Sequence, residues 1–437
     1  MTRTTTQAPH RHAAPEGATL AFSSLGLRPE LLRAVTDLGF VRPTAIQSAA
    51  IPPALQGRDV LGCAMTGSGK TAAFVLPILQ KLMDRPRGTT RALVLTPTRE
   101  LAAQVAEHLD SLARHTGLSG AAVYGGMAMG PQVDAFRKGV DVIVATPGRL
   151  LDHFRNGYAR LEGVEVLVLD EADRMLDMGF LPDIRRVLAH LPAGPRQTFF
   201  FSATMPAPIV ALSREILRSP MRIGSERKAA PASGITQALY PVPAPLKPHL
   251  LVELLQRDHL GSVIVFCRTK HRTNRLAEKL EKRGIPAARI HGNRSQAQRT
   301  KALDGFREGE HRVLVATDIV ARGIDVEALD HVVNFDVPGA ADDYIHRVGR
   351  TARAEATGEA FTLVAPEEEA DVRSIERALG RRIERRTLDG FDYHSVPTER
   401  FEVPVHERIA GIRAARARSR ERGLGGSGGS HRGRGRR

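Results

Sequence analysis

Between Asp59 and Leu82 the chain reads DVLGCA, then MTGSGKT, then AAFVLPILQKL. A short apolar run, a glycine-rich loop and a helical stretch follow one another, which is the setting a phosphate-binding loop requires. The spacing GxxxxGK[ST] is met with Ala64 in place of the first glycine. Thr66, Gly67, Ser68 and Gly69 would form the cradle, with the glycines letting backbone N–H groups approach phosphates and the helix N-terminus adding a favourable dipole. Lys70 would place a point charge on the β- and γ-phosphates, and Thr71 would offer a hydroxyl to Mg²⁺. The bland alternative is a Gly-Ser turn with a surface lysine, and the flanking strand and helix weigh against it.

The same alternation continues downstream. Apolar runs at Ala92 to Thr96, Val123 to Gly126, Val140 to Ala145, 166–169 and Gln197 to Phe201 are separated by helical patterns. Strands alternating with helices over this length imply a right-handed parallel sheet. Their ends carry PTRELAAQ, GG, TPGR, DEAD and SAT, all at what should be one edge of that sheet. VLVLDEAD is the sharpest of these, an apolar strand ending in three carboxylates within four residues, where open α/β sheets bind ligands. By itself it also reads as a strand with a solvated acidic turn. Backbone N–H groups, Arg99 and Arg149 at this edge could grip a phosphodiester backbone.

The stretch 224–234, GSERKAAPASG, has no apolar period and reads as a linker. A second alternating region follows, with strands expected at 235–242, 262–267, 287–290, 312–316, 331–335 and 359–364. It has no glycine-rich loop of its own, but carries two dense polar clusters, ATDIVARGID (316–325) and YIHRVGRTAR (344–353). The expected organisation is a lead at 1–20, a first domain at 21–223, the linker at 224–234, a second domain at 235–390 and a basic tail at 391–437. The segment 391–407 would drape on the second domain or hang loose.

Charge adds a partner to this picture. The net charge is +15, and residues 408–437 hold ten arginines against one glutamate, a balance of +9. A basic tail on a modestly basic body suggests a polyanion, nucleic acid first. Cys63 and Cys267 sit in or beside apolar runs, so two buried thiols are expected rather than a disulfide, in keeping with a reducing cytoplasm. No apolar run approaches the ~20 residues a membrane span needs.

A nucleotide site with Mg²⁺ needs a phosphate cradle, a carboxylate for the metal, a group that activates water and a late charge neutraliser. Lys70 and Thr71 serve the first need, Asp170 the second and Glu171 the third, while Asp173 suits a coupling bond. The fourth falls to the second domain, where Arg350 and Arg353 are spaced to reach a γ-phosphate across a cleft. Hydrolysis would then require the domains to close, and closure can be linked to a ligand that bridges them.

Taken in order, PTAIQ, AMTGSGKT, PTRELAAQ, GG, TPGR, DEAD, SAT, ARGID and HRVGRTAR resemble the full motif set of the DEAD-box RNA helicases, from about Phe22 to Gly390. The second half, with IHGNRSQAQR and ATGEAFTLV, looks most like the bacterial RhlE type. The resemblance implies two RecA-like α/β domains with a cleft between them, and an RNA-dependent ATPase that separates short duplexes or remodels ribonucleoprotein. An ATP-gated RNA clamp is the alternative within that resemblance.

The resemblance also implies residue roles. Gln47 would read the adenine edge with Phe22 stacking on the base, and Asp325 would contact the ribose. Ser202 and Thr204 would couple hydrolysis to RNA, and His346 would link the domains near the SAT segment. Pro97, Thr98, Arg99, Gly126, Thr146 and Arg149 would lie on the RNA backbone from one side, and Arg268, Gln296, Arg299, Thr317 and Gly323 from the other. Implied cofactors are ATP and Mg²⁺, and implied partners are RNA and ribosomal or degradosome-type assemblies. Met65, Asn293 and Ala352 depart from residues frequent in the family, and none of them removes a catalytic group.

Overall fold

The computed structural model describes residues 21–64, 67–224, 234–257, 260–318, 329–351, 358–395 and 401. The runs of valine, leucine, isoleucine and phenylalanine become strands covered on both faces, as continuous apolar runs demand. The first sheet takes β1 (Val60–Cys63), β2 (Ala92–Leu95), β3 (Gly120–Val123), β4 (Val142–Ala145), β5 (Val166–Leu169), β6 (Gln197–Ser202) and β7 (Met221–Ile223). Its order is β3-β4-β2-β5-β6-β1-β7, and every pairing is parallel. The second sheet takes β8 (Ile235–Pro241), β9 (Val263–Cys267), β10 (Ala287–Ile290), β11 (Val313–Thr317), β12 (His331–Asn334), β13 (Gly358–Val364) and β14 (Glu384–Arg385). Its order, β10-β11-β9-β12-β13-β8-β14, repeats the plan of the first, again all parallel.

Each sheet is sandwiched between two apolar layers. In the first, Val94, Val144, Val168 and Phe201 face one layer while Leu93, Ile143, Leu167 and Phe200 face the other, the two-residue alternation of a strand. The edge strands β7 and β14, three and two residues long, are too short for a pattern to mark them and are recognisable only by their pairing to β1 and β8. Starting within DEAD itself, the structure places a short helix, Ala172–Asp177, ahead of the helix Leu181–Ala189, where the sequence pattern suggests one helix from about Asp183.

The segment after Gly390 is draped on the second domain as far as it is described. Leu388, Phe391, Tyr393 and Phe401 pack against its core, and Arg275 Nη1 donates to the Phe401 carbonyl at 2.9 Å. Phe401 lies 5.5 Å from Phe335, ring centre to ring centre. Cys267 is buried and Cys63 half-buried, and the two lie at the ends of strands in different sheets, not joined in a disulfide. Among the described residues, no helix is long and apolar enough to cross a membrane.

Candidate active site and nucleic-acid interface

All the marked motifs of the first domain fall at the C-terminal edge of its sheet. The loop after β1 turns into the helix Lys70–Leu82 through Gly67 at φ 78° and Gly69 at φ 90°, in the left-handed region that glycine tolerates. A Cβ on Gly69 would lie 2.5 Å from Gln47 Nε2, so glycine is also the only residue that fits there. Gln47 Nε2 donates to the Gly69 carbonyl at 3.1 Å, and Gln47 Oε1 accepts from Thr44 N at 2.9 Å. The amide thereby ties the start of its own helix to the phosphate loop. Phe22 is buried, with its ring 6.3 Å from Phe40 in a stacked arrangement. Thr66, proposed for the cradle, lies outside the described residues, as do Met65, Gly323, Asp325, Ala352 and Arg353.

Lys70 and Asp170 meet at the floor of the site. Lys70 Nζ donates to the Ala64 carbonyl at 3.1 Å and lies 3.8 Å from Asp170 Oδ1, with both side chains buried. Thr71 follows in the first turn of the same helix. Burial pushes the Asp170 carboxyl up to about 6, against the pull of Lys70. Glu171 adopts φ 51°, a strained backbone for a residue with a side chain, at the turn from β5 into the next helix. Burial works to raise its carboxyl too, but the positive charges of Arg174, Lys70 and Arg350 prevail and hold it down at about 2.

Two of those cations were not equally legible. Arg174, 2.9 Å from Glu171 Oε2 and buried, carried no signal in the sequence beyond its i+3 spacing. Arg350 is the expected finger, and it is buried and close enough for its charge to act on Glu171 from the other domain. The helix Ala341–Val348 that leads to it is pinned by Arg347, which sequence reading passed over. Arg347 donates to Asp318 Oδ2 at 2.7 Å, to Asn334 Oδ1 at 3.0 Å and to the Asp336 carbonyl at 2.8 Å, and lies 5.1 Å over the Phe266 ring. It joins the ATDIVARGID cluster to the HRVGRTAR cluster. His346 is half-buried on the same helix.

Asp173 is bonded to the SAT segment in a closed ring. Its backbone N–H donates to Ser202 Oγ at 3.1 Å, Ser202 Oγ donates to the Thr204 carbonyl at 2.7 Å, and Thr204 N and Oγ1 both donate to Asp173 Oδ2, at 2.7 and 2.9 Å. Any shift of Thr204 is thus felt at the acidic turn.

The remaining motifs line a shared edge. Thr98 follows Pro97 and caps the helix Arg99–Ala113 by accepting from Leu101 N. Arg99 packs on the glycine turn, so that a Cβ on Gly126 would lie 2.4 Å from Arg99 Nη1 and 3.7 Å from Gln296 Cβ. Thr146 N donates to the Val123 carbonyl, and Arg149 Nη2 donates to the Met127 carbonyl at 2.7 Å. On the second domain, Thr317 ends β11, and Arg268 is half-exposed with Nη2 on the Val337 carbonyl at 3.1 Å. Gln296 and Arg299 are engaged differently from the expectation. Gln296 Nε2 donates to Glu100 Oε1 at 3.1 Å and Arg299 Nη2 lies 2.6 Å from Glu100 Oε2, all three buried. They bridge the two domains through Glu100, where the resemblance implies contacts with the RNA backbone.

A phosphate loop and acidic turn on one parallel-sheet domain, faced by an arginine from a second, define a two-domain nucleotide hydrolase. Its family follows from comparison. A DEAD/DEAH box helicase family model matches residues 44–212, and one for the helicase conserved C-terminal domain matches 246–355. The DEAD-box ATP-dependent RNA helicase CshA of Bacillus subtilis is 42% identical over 394 residues, covering 89% of this chain and 79% of that protein. The ATP-dependent rRNA helicase RRP3 of Mycosarcoma maydis is 43% identical over 420 residues, covering 95% and 73%. Among solved structures, S. cerevisiae Dbp5 bound to RNA and ADP BeF3 superposes with a TM-score of 0.76 at 32% identity, over 85% of this chain and 96% of that one. Mss116 bound to ssRNA and UDP-BeF gives 0.78 at 28%, over 87% and 82%. The chain belongs to the DEAD-box ATP-dependent RNA helicases, with two RecA-like domains.

Proposed function

We propose that ATP hydrolysis here is assembled by RNA, which bridges the two domains and brings Arg350 onto the nucleotide held by the first. The observation that carries this reading is that the two domains meet, with Gln296 and Arg299 of the second on Glu100 of the first and Arg350 buried on the side of the acidic turn. Lys70 binds the terminal phosphates, Gln47 reads the base while holding Gly69, and Glu171 orients the attacking water. Asp170 and Thr71 offer a carboxylate and a hydroxyl, hard oxygen donors of the kind that suit Mg²⁺ with its retained waters and the nucleotide phosphates. When bound, Mg²⁺ would neutralise charge developing on the β- and γ-oxygens. Arg174 keeps the Glu171 carboxylate oriented, and Arg350, joined by Arg353, adds the late positive charge.

The RNA edge is the one formed by Arg99, Gly126 and Arg149 with Arg268 and Thr317 opposite. These groups favour the phosphodiester backbone and leave base sequence unread. Closure on one strand would bend it away from its complement, and hydrolysis would release it. The Arg-rich segment 408–437 would tether RNA non-specifically.

ATPase assays with RNA and with DNA of matched sequence test the substrate, because strong stimulation by DNA alone would assign a DNA translocase. A strand-displacement assay on a short RNA duplex then separates unwinding from an ATP-gated clamp. The RhlE-type resemblance of the second half has no counterpart among the relatives compared, which carry the CshA and RRP3 names, so the reading rests at the level of the family. A cytoplasmic ribosomal or degradosome-type assembly is the setting we propose, testable by crosslinking the protein to cellular RNA and sequencing what is attached.

A further inference from the structure

Gln132 lies on the helix Met129–Lys138, buried, and none of the roles assigned so far involves it. Its amide is saturated. Nε2 donates to the Tyr124 carbonyl at 3.2 Å and to the Ala128 carbonyl at 3.1 Å. Oε1 accepts from Arg149 Nε at 3.2 Å and meets His153 Nε2 at 3.2 Å. A guanidinium can only donate, so Oε1 must face Arg149, which fixes the amide's orientation and requires the proton of His153 on Nε2. Both amide hydrogens are then committed to the two carbonyls.

Those carbonyls flank the turn Gly125–Gly126–Met127. Arg149 closes the turn from the other side by donating to the Met127 carbonyl at 2.7 Å, and Arg99 lies against both glycines. One side chain therefore holds the GG turn after β3 and the arginine of TPGR after β4. We infer that Gln132 is a positioning residue for RNA binding: it locks the turn and the Arg149 guanidinium into one rigid grip before the phosphodiester backbone arrives. This rests on the reading of that edge as RNA-facing. No other uncharged side chain of this size offers two donors and a two-fold acceptor at once. Leucine would leave the part-buried carbonyls of Tyr124 and Ala128 without these donors and Arg149 Nε without its acceptor. Glutamate would keep the shape and the bonds from Arg149 and His153, but turn its oxygens on the carbonyls.

The test uses the full chain and single-stranded RNA, reading the RNA concentration that half-saturates ATPase stimulation and, separately, KM for ATP. Gln132→Leu should raise the RNA half-saturation about tenfold, the order expected when buried polar groups lose a partner, with KM for ATP moving less than about twofold. Gln132→Glu should move the same way with the volume kept, and it decides the matter if the leucine variant does not fold. In the cycle with Arg149→Ala, the double variant should lose less than the two single losses combined. Unchanged RNA half-saturation in Gln132→Glu, a parallel rise in both constants, or strictly additive losses would overturn the inference. If Arg149→Ala alone leaves RNA binding intact, it is the reading of the edge itself that fails.

Discussion

Arg299 of the second domain lies 2.6 Å from Glu100 of the first, and the guanidinium and the carboxylate are both buried. With Gln296 on the other carboxylate oxygen, the pair forms a latch between domains that share no covalent continuity at that point. A buried pair contributes little net stability over an apolar contact, but breaking one partner strands a charge, typically at about 3–5 kcal/mol. We expect the latch to make closure selective for one docked geometry.

Arg299→Ala should accordingly disfavour the closed state. We expect RNA-stimulated kcat/KM to fall by roughly two orders of magnitude, the lower end of that cost, while nucleotide binding to the first domain persists. Glu100→Gln should fall less, since it can still meet Gln296 without the charge. Equal RNA-stimulated rates in wild type and Arg299→Ala would show that the latch does not limit closure.

Glu171→Gln should retain ATP and lose most turnover, and it should release RNA more slowly because the clamp is opened by hydrolysis. Near-wild-type steady-state ATPase would rule out Glu171 as the water-orienting group. Lys70→Ala should abolish nucleotide binding, measured by titration with a fluorescent ATP analogue.

Gly69→Ala tests the phosphate loop without touching a charge. At φ 90° a side chain is strained, by about 1–3 kcal/mol, and its Cβ would lie 2.5 Å from Gln47 Nε2. ATP affinity should drop at least about tenfold, a loss of that order, with the melting temperature falling by only a few degrees. A variant with full ATP affinity would mean the loop can rearrange freely.

Asp170 gives a pH signature to the nucleotide-free protein. Its folded carboxyl is raised to about 6 from an ordinary value of 3.8, so between those limits the folded state holds a proton that the unfolded state has released. Stability must then fall as pH rises through that window and stay lowered above it. Glu171, held at about 2, adds stability that is present above its ordinary 4.5 and lost as pH falls towards 2, so the two windows separate above pH 4.5. Asp170→Asn should remove the decline between pH 4.5 and 6 and stabilise the nucleotide-free chain at pH 7. Parallel urea-unfolding curves for the two proteins across that range would contradict the shift.

Deleting 408–437 removes ten arginines. Released counterions give a slope of about −0.7 per neutralised phosphate on single strands. The plot of log affinity against log salt should flatten by several units, while kcat at saturating RNA holds. An unchanged slope would take the tail out of the RNA interface.

Much of the fold was legible because parallel strands buried on both faces have to be written as apolar runs. The alternation gave both sheets, and the polar clusters at strand ends lay where the structure has the cleft. The edge strands β7 and β14 were not legible, since a short strand paired on one side needs no apolar pattern. Phe22 could be singled out, but its packing against Phe40 could not, because nothing local to either ring announces the other.

The sequence by itself determined the phosphate loop, the acidic turn, the SAT segment and the division into two halves, because each depends on spacing within a few residues of a strand end. Which partners these groups meet depends on how the elements pack in space. Glu100 and Gln296 are 196 positions apart, and nothing local to either announces the other. Arg347, Arg174 and Gln132 read as ordinary helix residues until the sheets bring carbonyls and carboxylates to them. Hydrogen bonds and ion pairs are short-ranged in space and indifferent to distance along the chain, so the residues that carry chemistry could be read in order, and the residues that hold them in place had to be seen.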